Sequence, residues 1–188
     1  AMQLAKLAGV RILATAGSEE KRRFVEQIGA SQVMDSRSLD FAQQTLAATA
    51  GVGVDAVLNS LAGEAIAAGL SILKPGGRFL EIGKRDIYSD SALGLYPFRN
   101  NLALFAIDLD QLFQQQPERM GKMLNDLVER FEQGELHPLP TQVFSANESQ
   151  AAYRFMQQGK HIGKVVVKYD CVPHDVRAGE TAPIDLSD

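Results

Sequence analysis

The sequence lacks the features of several common protein classes. Its single cysteine, Cys171, excludes an internal disulfide and fits a reducing compartment such as the cytoplasm. No apolar run approaches the roughly 20 residues that a membrane span requires, and the start shows no signal-peptide pattern. The net charge of -4 argues against non-specific nucleic-acid binding. His137, His161 and His174 are scattered without metal-ligand spacing. We therefore expect a cytoplasmic protein with no metal, nucleic-acid or membrane partner.

The glycine-rich fingerprint G-x-G-x-x-G of dinucleotide-binding folds is also lacking. Gly51-Val52-Gly53 precedes a predicted strand rather than a helix, so we interpret it as a plain turn. Residues 1–9 have the pattern of a helix that ends at Gly9 but has no cap before it. We therefore expect the chain to be part of a longer one, in which a glycine loop could lie before Ala1.

What the sequence does contain is a regular alternation of strand and helix patterns. The predicted strands are short and apolar, and they cover residues 10–15, 31–35, 54–59, 79–82 and 102–107. Helical patterns of about ten residues separate the first four, over 19–28, 39–50 and 62–73. Such alternation is typical of right-handed βαβ units. It predicts an α/β fold with a doubly wound parallel sheet.

The second half of the chain has a different pattern. A long helix is predicted over 114–131, a strand at Val143-Phe144, a helix capped by residues 145–148 and running to 158, and a last strand over 163–169. From Cys171 onward, apolar content falls while proline, aspartate and serine increase. We therefore expect one domain over 1–170 and a linker or tail over 171–188.

Small residues and then cations follow the strand over 10–15. They are Thr15-Ala16-Gly17-Ser18 and then Lys21, Arg22 and Arg23. An NAD-binding fold places an acidic residue at this position to hold a ribose hydroxyl, whereas cations favour a 2′-phosphate. The pattern therefore favours NADPH over NADH. The alternative is a solvated face of the helix that Ser18 caps.

Lys84 and Asp108 follow two successive predicted strands. Gly83 allows a turn or a close backbone approach to a ligand, and Lys84 comes directly after it. Ligands of open α/β sheets lie at the carboxyl ends of the strands. If the two strands are neighbours, Lys84 can donate a proton or orient a water, and Asp108 can orient the lysine. The alternatives are a structural ion pair, or Asp108 as a helix cap.

Two further segments carry polar groups at strand boundaries. Asn59-Ser60-Leu61 ends a buried strand and can bond a ribose or a nicotinamide amide, or can equally cap the following helix. Residues 159–164, with the sequence GKHIGK, combine two glycines with three cationic or titratable groups. That composition suggests backbone approach to an anion, and a tight turn with solvated lysines is the alternative.

Together these segments resemble the enoyl reductase domains of modular polyketide synthases and animal fatty acid synthase. These domains belong to the medium-chain dehydrogenase/reductase family. The resemblance covers nearly all of residues 1–169. The segments that carry it, in chain order, are ATAGS with EKR (14–18, 20–22), VDAVLNSL (54–61), RFLEIGK (78–84) and QGKHIGKVV (158–166).

The resemblance implies a Rossmann-like domain that binds NADPH without zinc and reduces an α,β-enoyl thioester on an acyl carrier protein. Lys84 matches the lysine proposed as proton donor in the family, and Asp108 matches its partner acid. Ser18 and Lys21 match the 2′-phosphate site. The residues expected to bind the cofactor are Thr15, Ala16, Gly17, Ser18, Lys21, Arg22, Asn59, Ser60, Leu61, Ile82, Gly83, Gly163 and Lys164.

The chain departs from the family at its start. The resemblance implies that the family's substrate-binding domain, first Rossmann strand and glycine loop would precede Ala1, and that the last elements belong to the substrate domain. We therefore expect poor NADPH binding and no activity from these residues alone, and expect neighbouring synthase domains. Two alternatives stay open: a free-standing NADPH quinone or alkene reductase, and a non-catalytic Rossmann remnant that forms a homodimer through an edge strand at 102–107.

Overall fold

The computed structural model describes residues 1–169, and all the strand pairs in this part of the chain are parallel. In chain order the elements are α1 (Met2–Leu7), β1 (Leu13–Ala16), α2 (Glu19–Gln27), β2 (Gln32–Asp35), α3 (Phe41–Ala48), β3 (Val54–Asn59), α4 (Glu64–Ser71), β4 (Leu73–Glu81), α5 (Arg85–Tyr88), β5 (Ala103–Ala106), α6 (Leu109–Gln115), α7 (Pro117–Glu132), β6 (Thr141–Ser145), α8 (Ser149–Gln157) and β7 (Lys164–Lys168). Two 3-10 turns lie at Tyr96–Asn100 and Ala146–Glu148. The predicted parallel α/β fold is confirmed.

The chain divides into two compact units, residues 1–137 and residues 138 onward. The first unit contains the pair β1-β2 and a three-stranded sheet in the order β3-β4-β5. Helices connect successive strands, as a parallel sheet requires. The predicted domain boundaries, 1–170 and 171–188, stay predictions, and the proposed tail with Cys171 lies outside the described residues.

The apolar core of the first unit consists of two clusters of buried side chains. Phe79 of β4 is fully buried beside Leu70 and Leu73, and burial of a phenylalanine contributes about 1.5–3 kcal/mol. The second cluster joins β2, α3, α4 and the turn before β4, through Met34, Phe41, Ala65 and Ile72. Both clusters pack against the strands, so they fix the strand ends that carry the polar residues described below.

Strand β4 contains a bulge where the sequence predicts a turn. Val54 pairs with Leu73 and Ala56 pairs with Arg78, so β4 advances five residues while β3 advances two. Gly76 has a φ of +75°, and a Cβ at Gly77 would lie 2.8 Å from the Lys74 carbonyl oxygen. The glycine pair therefore shapes an irregular strand that begins at Leu73. The expectation that helix 62–73 includes Leu73 and that the strand begins at Phe79 was wrong.

Two other boundaries also differ from the prediction. The predicted helix over 114–131 is two helices, because Gln116 leaves helical geometry and Pro117 is the first residue of α7. Proline fits a first helical position, and it disfavours helical geometry in the residue before it. The first strand begins at Leu13 rather than Val10.

The second unit contains the parallel pair β6-β7 and α8. The pairing registers Thr141 with Lys164, and the Phe144 and Phe155 rings lie 6.0 Å apart. Ser145 and Glu148 form a capping box before α8, as the sequence predicts. The hydrogen bonds to Ser145 hold the pKa of Glu148 below its ordinary value.

Candidate functional site

The carboxyl ends of β3, β4 and β5 meet at one edge of the central sheet. In register, Asn59 lies beside Glu81, and Glu81 lies beside Ala106. Backbone hydrogen bonds continue past the strand ends: Ile82 N–H donates to the Asn59 carbonyl (2.9 Å), and Ile107 N–H donates to the Glu81 carbonyl (2.8 Å). The turns that follow the three strands therefore lie side by side.

Lys84 and Asp108 form an ion pair at this edge. The Lys84 Nζ lies 2.9 Å from Asp108 Oδ1, and it also pairs with Asp110 on α6. The Lys84 side chain is 45% exposed and that of Asp108 is 21% exposed, so the ammonium is open to solvent while the carboxylate is partly shielded. The predicted proximity of Lys84 and Asp108 is thus observed, and the pair is compatible with either a catalytic or a structural role.

Asp108 has more partners than the lysine. It is the N-cap of α6, and its Oδ1 accepts hydrogen bonds from the backbone N–H groups of Asp110 (3.0 Å) and Gln111 (3.4 Å). Its other oxygen, Oδ2, accepts a hydrogen bond of 2.6 Å from the Tyr88 hydroxyl. The Gln111 side-chain amide lies 3.5 Å from the same hydroxyl. The carboxylate is therefore held on both sides.

These contacts shift the pKa values of both charged groups. The hydrogen bonds from Tyr88 and then Lys84 lower the pKa of Asp108 from 3.8 to about 2. The hydrogen bonds to Asp110 and then Asp108 raise the pKa of Lys84 above its ordinary value of 10.5. Because each shift favours the charged form, the lysine is a cation and the aspartate an anion throughout the neutral range.

A pocket of about 300 Å³ opens at this cluster. Its lining consists of Gly83, Lys84, Ile87, Tyr88, Ala106, Ile107, Asp108 and Gln111. The lining thus combines the apolar side chains of Ile87 and Ile107 with the charged pair. Such a pocket, apolar with a few polar groups, is the usual form of a small-molecule site.

Next to the pocket lies a buried polar network centred on Glu81. Glu81 is 4% exposed and Asn59 is 7% exposed. Glu81 Oε1 accepts a hydrogen bond from Gly83 N–H (2.6 Å), and Oε2 accepts one from Asn59 Nδ2 (2.5 Å). The Asn59 amide also bonds both backbone groups of Leu61. The side chain of Asn59 is thus committed to partners inside the protein.

Other residues predicted around this edge differ in exposure. Ser60 and Ile82 are exposed beside the pocket edge, and Leu61 packs partly against the core cluster of Met34. Gly83 contacts Glu81 closely, since a Cβ there would lie 2.7 Å from Oε1. Their assignment as cofactor contacts stays a prediction.

A second polar cluster lies at the carboxyl ends of β1 and β2. The Ser18 hydroxyl accepts a hydrogen bond from Lys21 N–H (3.3 Å) as the cap of α2, and Arg22 donates to the Ala16 carbonyl (3.2 Å) and lies 3.6 Å from Asp35. Thr15 is exposed. The helix cap that the sequence predicts is therefore present, and cationic side chains lie close to it.

Gly17 lies where a larger residue would crowd this cluster. A Cβ at Gly17 would lie 3.3 Å from Arg37 Nε and 3.4 Å from Ser36 Oγ. The arginine and serine after β2 therefore form, with the Gly17 backbone, a small cradle open to an anionic ligand.

Gly163 and Lys164 lie in the second unit, at the start of β7. Gly163 has a φ of +79°, and a Cβ there would overlap the Pro140 carbonyl oxygen. The same oxygen accepts a hydrogen bond of 2.9 Å from Lys164 N–H. The glycine is thus explained by the pairing of β7 with the segment before β6, while the Lys164 side chain is exposed. Their cofactor role stays a prediction.

Three residues join the candidate sites although the sequence did not single them out: Tyr88, Glu81 and Arg37. Tyr88 follows Lys84 by four residues, a spacing that places two side chains on one helical face. Glu81 is an acid inside an apolar strand, which is a signal of a buried polar contact. Arg37 is the second residue after the second strand, at the sheet edge where a ligand-facing cation belongs.

The chain matches the family described as zinc-binding dehydrogenase over residues 28–167. It belongs to this family, in the branch of polyketide synthase enoyl reductase domains. The resemblance seen in the sequence is thus confirmed. Membership implies a nicotinamide cofactor, and the cradle at Gly17 fits an anionic part of such a molecule.

Specific relatives define this branch. A phenolphthiocerol/phthiocerol polyketide synthase of Mycobacterium tuberculosis is 46% identical over 167 residues, which are 89% of this chain and 8% of that protein. The nucleotide-binding subdomain of the PpsC enoylreductase domain, also from M. tuberculosis, is 46% identical with a TM-score of 0.67, over 72% of this chain and 75% of that one. CurK enoyl reductase is 43% identical with a TM-score of 0.76, over 89% of this chain and 50% of that one.

The chain therefore spans about half of the CurK enoyl reductase and a small fraction of the mycobacterial synthase. Although the family description names zinc, the donor set of residues 1–169 does not fit a metal ion. Within residues 1–169, no group of three or more histidine, cysteine, aspartate or glutamate side chains could hold one. No helix among these residues is long and apolar enough to cross a membrane.

Proposed function

We propose that this chain is the cofactor-binding half of a polyketide synthase enoyl reductase domain, which reduces an α,β-enoyl thioester carried on an acyl carrier protein. The observation that carries the proposal is the 2.9 Å pair of Lys84 and Asp108 in a pocket at the carboxyl ends of β4 and β5. Parallel α/β sheets bind their ligands at this edge. The likeness to enoyl reductases over nine-tenths of the chain supports the same assignment.

The cofactor of this reaction is NADPH. Bound there, the nicotinamide supplies a hydride to the β-carbon of the enoyl thioester. Ser18, Lys21, Arg22 and Arg37 would hold the 2′-phosphate, since guanidinium and ammonium groups pair strongly with phosphate oxygens. Ser60, which is exposed, and the half-buried turn at Gly83 would face the nicotinamide end.

Lys84 gives the proton that completes the reduction. Addition at the β-carbon leaves an enolate, which takes a proton at the α-carbon. The Lys84 ammonium can transfer that proton, because a thioester enolate is a much stronger base than a lysine amine. The neutral amine then regains a proton from water. Asp108 holds the ammonium in place and favours its return to the charged form.

The proposed setting of this reaction is a large cytoplasmic synthase. Its partners are the acyl carrier protein and the neighbouring catalytic domains of the same polypeptide. Self-association also stays a prediction: within the described residues β5 pairs only with β4, so its free edge is available to a second copy. Light scattering of the purified complete domain distinguishes a monomer from a dimer.

The test uses the complete enoyl reductase domain with crotonyl-pantetheine as the thioester. We expect NADPH oxidation that depends on the thioester, with no comparable rate on a quinone. Lys84→Met should lower kcat by about 10²-fold or more, the range that general acid catalysis contributes. Asp110→Asn is the matched control, because it removes an exposed partner of Lys84 and leaves Asp108 in place.

Turnover of the quinone without turnover of the thioester would assign the chain to a free-standing quinone reductase instead. Full activity of Lys84→Met would remove Lys84 from the chemistry. Binding of neither NADPH nor NADH would leave a non-catalytic Rossmann remnant. A separate assay of the 188-residue chain, for which we expect poor NADPH binding and no turnover, tests its dependence on the other half.

A further inference from the structure

Glu81 is a buried acid without a cationic partner in the described part of the chain. It is 4% exposed, and its carboxylate accepts hydrogen bonds only from neutral N–H groups, those of Gly83 (2.6 Å) and Asn59 (2.5 Å). Burial of a carboxylate is costly unless its oxygens are satisfied. A group kept at such cost in an apolar strand needs an explanation beyond core packing.

The donors around Glu81 are fixed in direction. Asn59 Oδ1 accepts a hydrogen bond from Leu61 N–H (3.2 Å), and Nδ2 donates to the Leu61 carbonyl (2.7 Å) as well as to Glu81. A flip of the Asn59 amide would turn every one of these contacts from attractive to repulsive. The network therefore requires an acceptor at both oxygens of residue 81.

Through these bonds Glu81 touches the turns after all three strands. Its side chain holds Asn59 at the end of β3 and the Gly83 backbone after β4, and its own carbonyl accepts from Ile107 N–H, next to Asp108. A Cβ at Gly83 would lie 2.7 Å from Glu81 Oε1, so the turn fits tightly on the carboxylate. Lys84 is the residue that leaves this turn.

We propose that Glu81 and Asn59 are a positioning pair that fixes the Gly83 turn and thereby aims Lys84 at Asp108 and the pocket. The effect of this pair on catalysis rests on the proposed function. Its effect on the position of Lys84 does not, and it can be tested separately. Neither residue touches substrate. The pair acts through the backbone N–H of Gly83, the residue that directly precedes Lys84.

The test is a swap of donor and acceptor between the two residues. Glu81→Gln replaces one acceptor oxygen by an amide donor, so either Gly83 N–H or the Asn59 amide loses its acceptor. Asn59→Asp instead sets two carboxylates against each other. The double variant Glu81→Gln/Asn59→Asp restores a complementary contact between residues 59 and 81 in reversed direction, with an acceptor left for Gly83 N–H and for Leu61 N–H. The Leu61 carbonyl, which accepts from Asn59 Nδ2 in the wild type, loses its donor in this variant.

We expect each single variant to lower kcat in the complete domain about tenfold or more, and the double variant to recover part of that loss, as expected for directly coupled residues. The KM for NADPH should change less than kcat, because the pair orients Lys84 rather than binding cofactor. Thr45→Val is the matched control. Thr45 is another buried polar side chain, 2% exposed, and its hydroxyl donates a hydrogen bond to Met34 Sδ, away from the Glu81 network. Its replacement should leave kcat unchanged.

A second readout does not depend on catalysis. In the wild-type chain, the Lys84 side-chain NMR signal should titrate above pH 10.5, as its pairing with the two aspartates requires. In Glu81→Gln it should return toward the ordinary value, and in the double variant it should rise again. Thermal unfolding of each variant identifies those that do not fold. If a single variant does not fold, the test of the positioning pair is made on the double variant alone.

An inactive wild-type domain with the expected NMR pattern would overturn the proposed function and support the positioning pair. Single variants that keep both kcat and the Lys84 titration would overturn the pair. The pair is also overturned if the folded double variant recovers neither property, or if Thr45→Val lowers kcat as much as Glu81→Gln does.

Discussion

The Tyr88 hydroxyl donates a hydrogen bond of 2.6 Å to Asp108 Oδ2, opposite the oxygen that pairs with Lys84. Tyr88 and Lys84 lie four residues apart around the short helix α5, and both reach across to the strand end after β5. The aspartate is therefore held between a phenol and an ammonium. Several measurable properties of the site depend on this arrangement.

Tyr88→Phe should raise the pKa of Asp108. The phenol is the leading cause that lowers this pKa to about 2, and its loss should move the value back toward 3.8. A carboxyl-carbon NMR titration of the purified chain measures the shift. Tyr96→Phe is the control, since the Tyr96 ring, which stacks under Arg99 at 3.6 Å, is retained and the residue lies outside the Asp108 cluster. An Asp108 titration unchanged in Tyr88→Phe would contradict the assigned cause.

Asp108→Asn should lower stability in a way that depends on pH. The folded-state pKa of Asp108 is depressed, so its stabilising contribution is present above 3.8 and is lost as pH falls toward about 2. Asparagine caps helices as well as aspartate does, so the variant removes mainly the charge. Urea unfolding of both proteins should show a gap in unfolding free energy near neutral pH that narrows across this acid range. A gap that is constant with pH would rule out the ion pair as its source.

Lys21→Ala should weaken NADPH binding with little effect on NADH. A charge-assisted hydrogen bond to phosphate contributes about 1.5–3 kcal/mol, so Kd for NADPH should rise about tenfold or more. Arg23→Ala, on the same helix, removes a highly exposed cation that pairs with Glu19 and is the matched control. Fluorescence titration of the complete domain with NADPH and with NADH measures, for each cofactor, the ratio of the variant Kd to the wild-type Kd. Equal losses for NADPH and NADH would contradict a 2′-phosphate contact.

Gly69→Ala should destabilise the chain although alanine is the better helix former. A Cβ at Gly69 would lie 2.8 Å from Phe79 Cε2, which is fully buried and cannot move aside. Overpacking costs about 1–3 kcal/mol, against about 1 kcal/mol gained in helix propensity. The net expectation is a loss of about 1 kcal/mol in the free energy of urea unfolding.

Gly121→Ala provides the opposite case. Gly121 lies inside α7, and no atom lies within 4 Å of a Cβ built there. The same substitution should therefore raise the unfolding free energy by about 0.5–1 kcal/mol. If both glycine variants stabilise the protein, the packing of Phe79 against α4 is looser than the contact distance indicates.

The order of strands and helices could be predicted because its signals are local. Apolar runs, the Ser18 cap and the glycines at helix ends each act within a few residues, and β3 has the predicted bounds Val54–Asn59. The bulge in β4 could not be predicted from the sequence, because it depends on the pairing of Leu73 and Arg78 with the neighbouring strand β3. Gly76-Gly77 has the local pattern of a turn, and only the sheet makes it part of a strand.

The charged pair of the site could be predicted for a similar reason. Parallel strands bring their carboxyl ends together, so the proximity of Lys84 and Asp108 follows from topology alone. Tyr88 and Glu81 required the structure, since their roles depend on contacts across turns of irregular shape. The commitment of the Asn59 amide to Glu81 and Leu61 likewise has no signal in the order of residues.

The polar groups around the Lys84 pocket all come from one unbroken stretch of chain, from Asn59 to Gln111. A recombination junction placed before β3 or after α6 would transfer this whole group of residues from one synthase to another. A junction between α5 and β5 would take Lys84 from one parent and Asp108 from the other. Exchange of modules between synthases should therefore preserve this pocket when junctions fall outside the stretch.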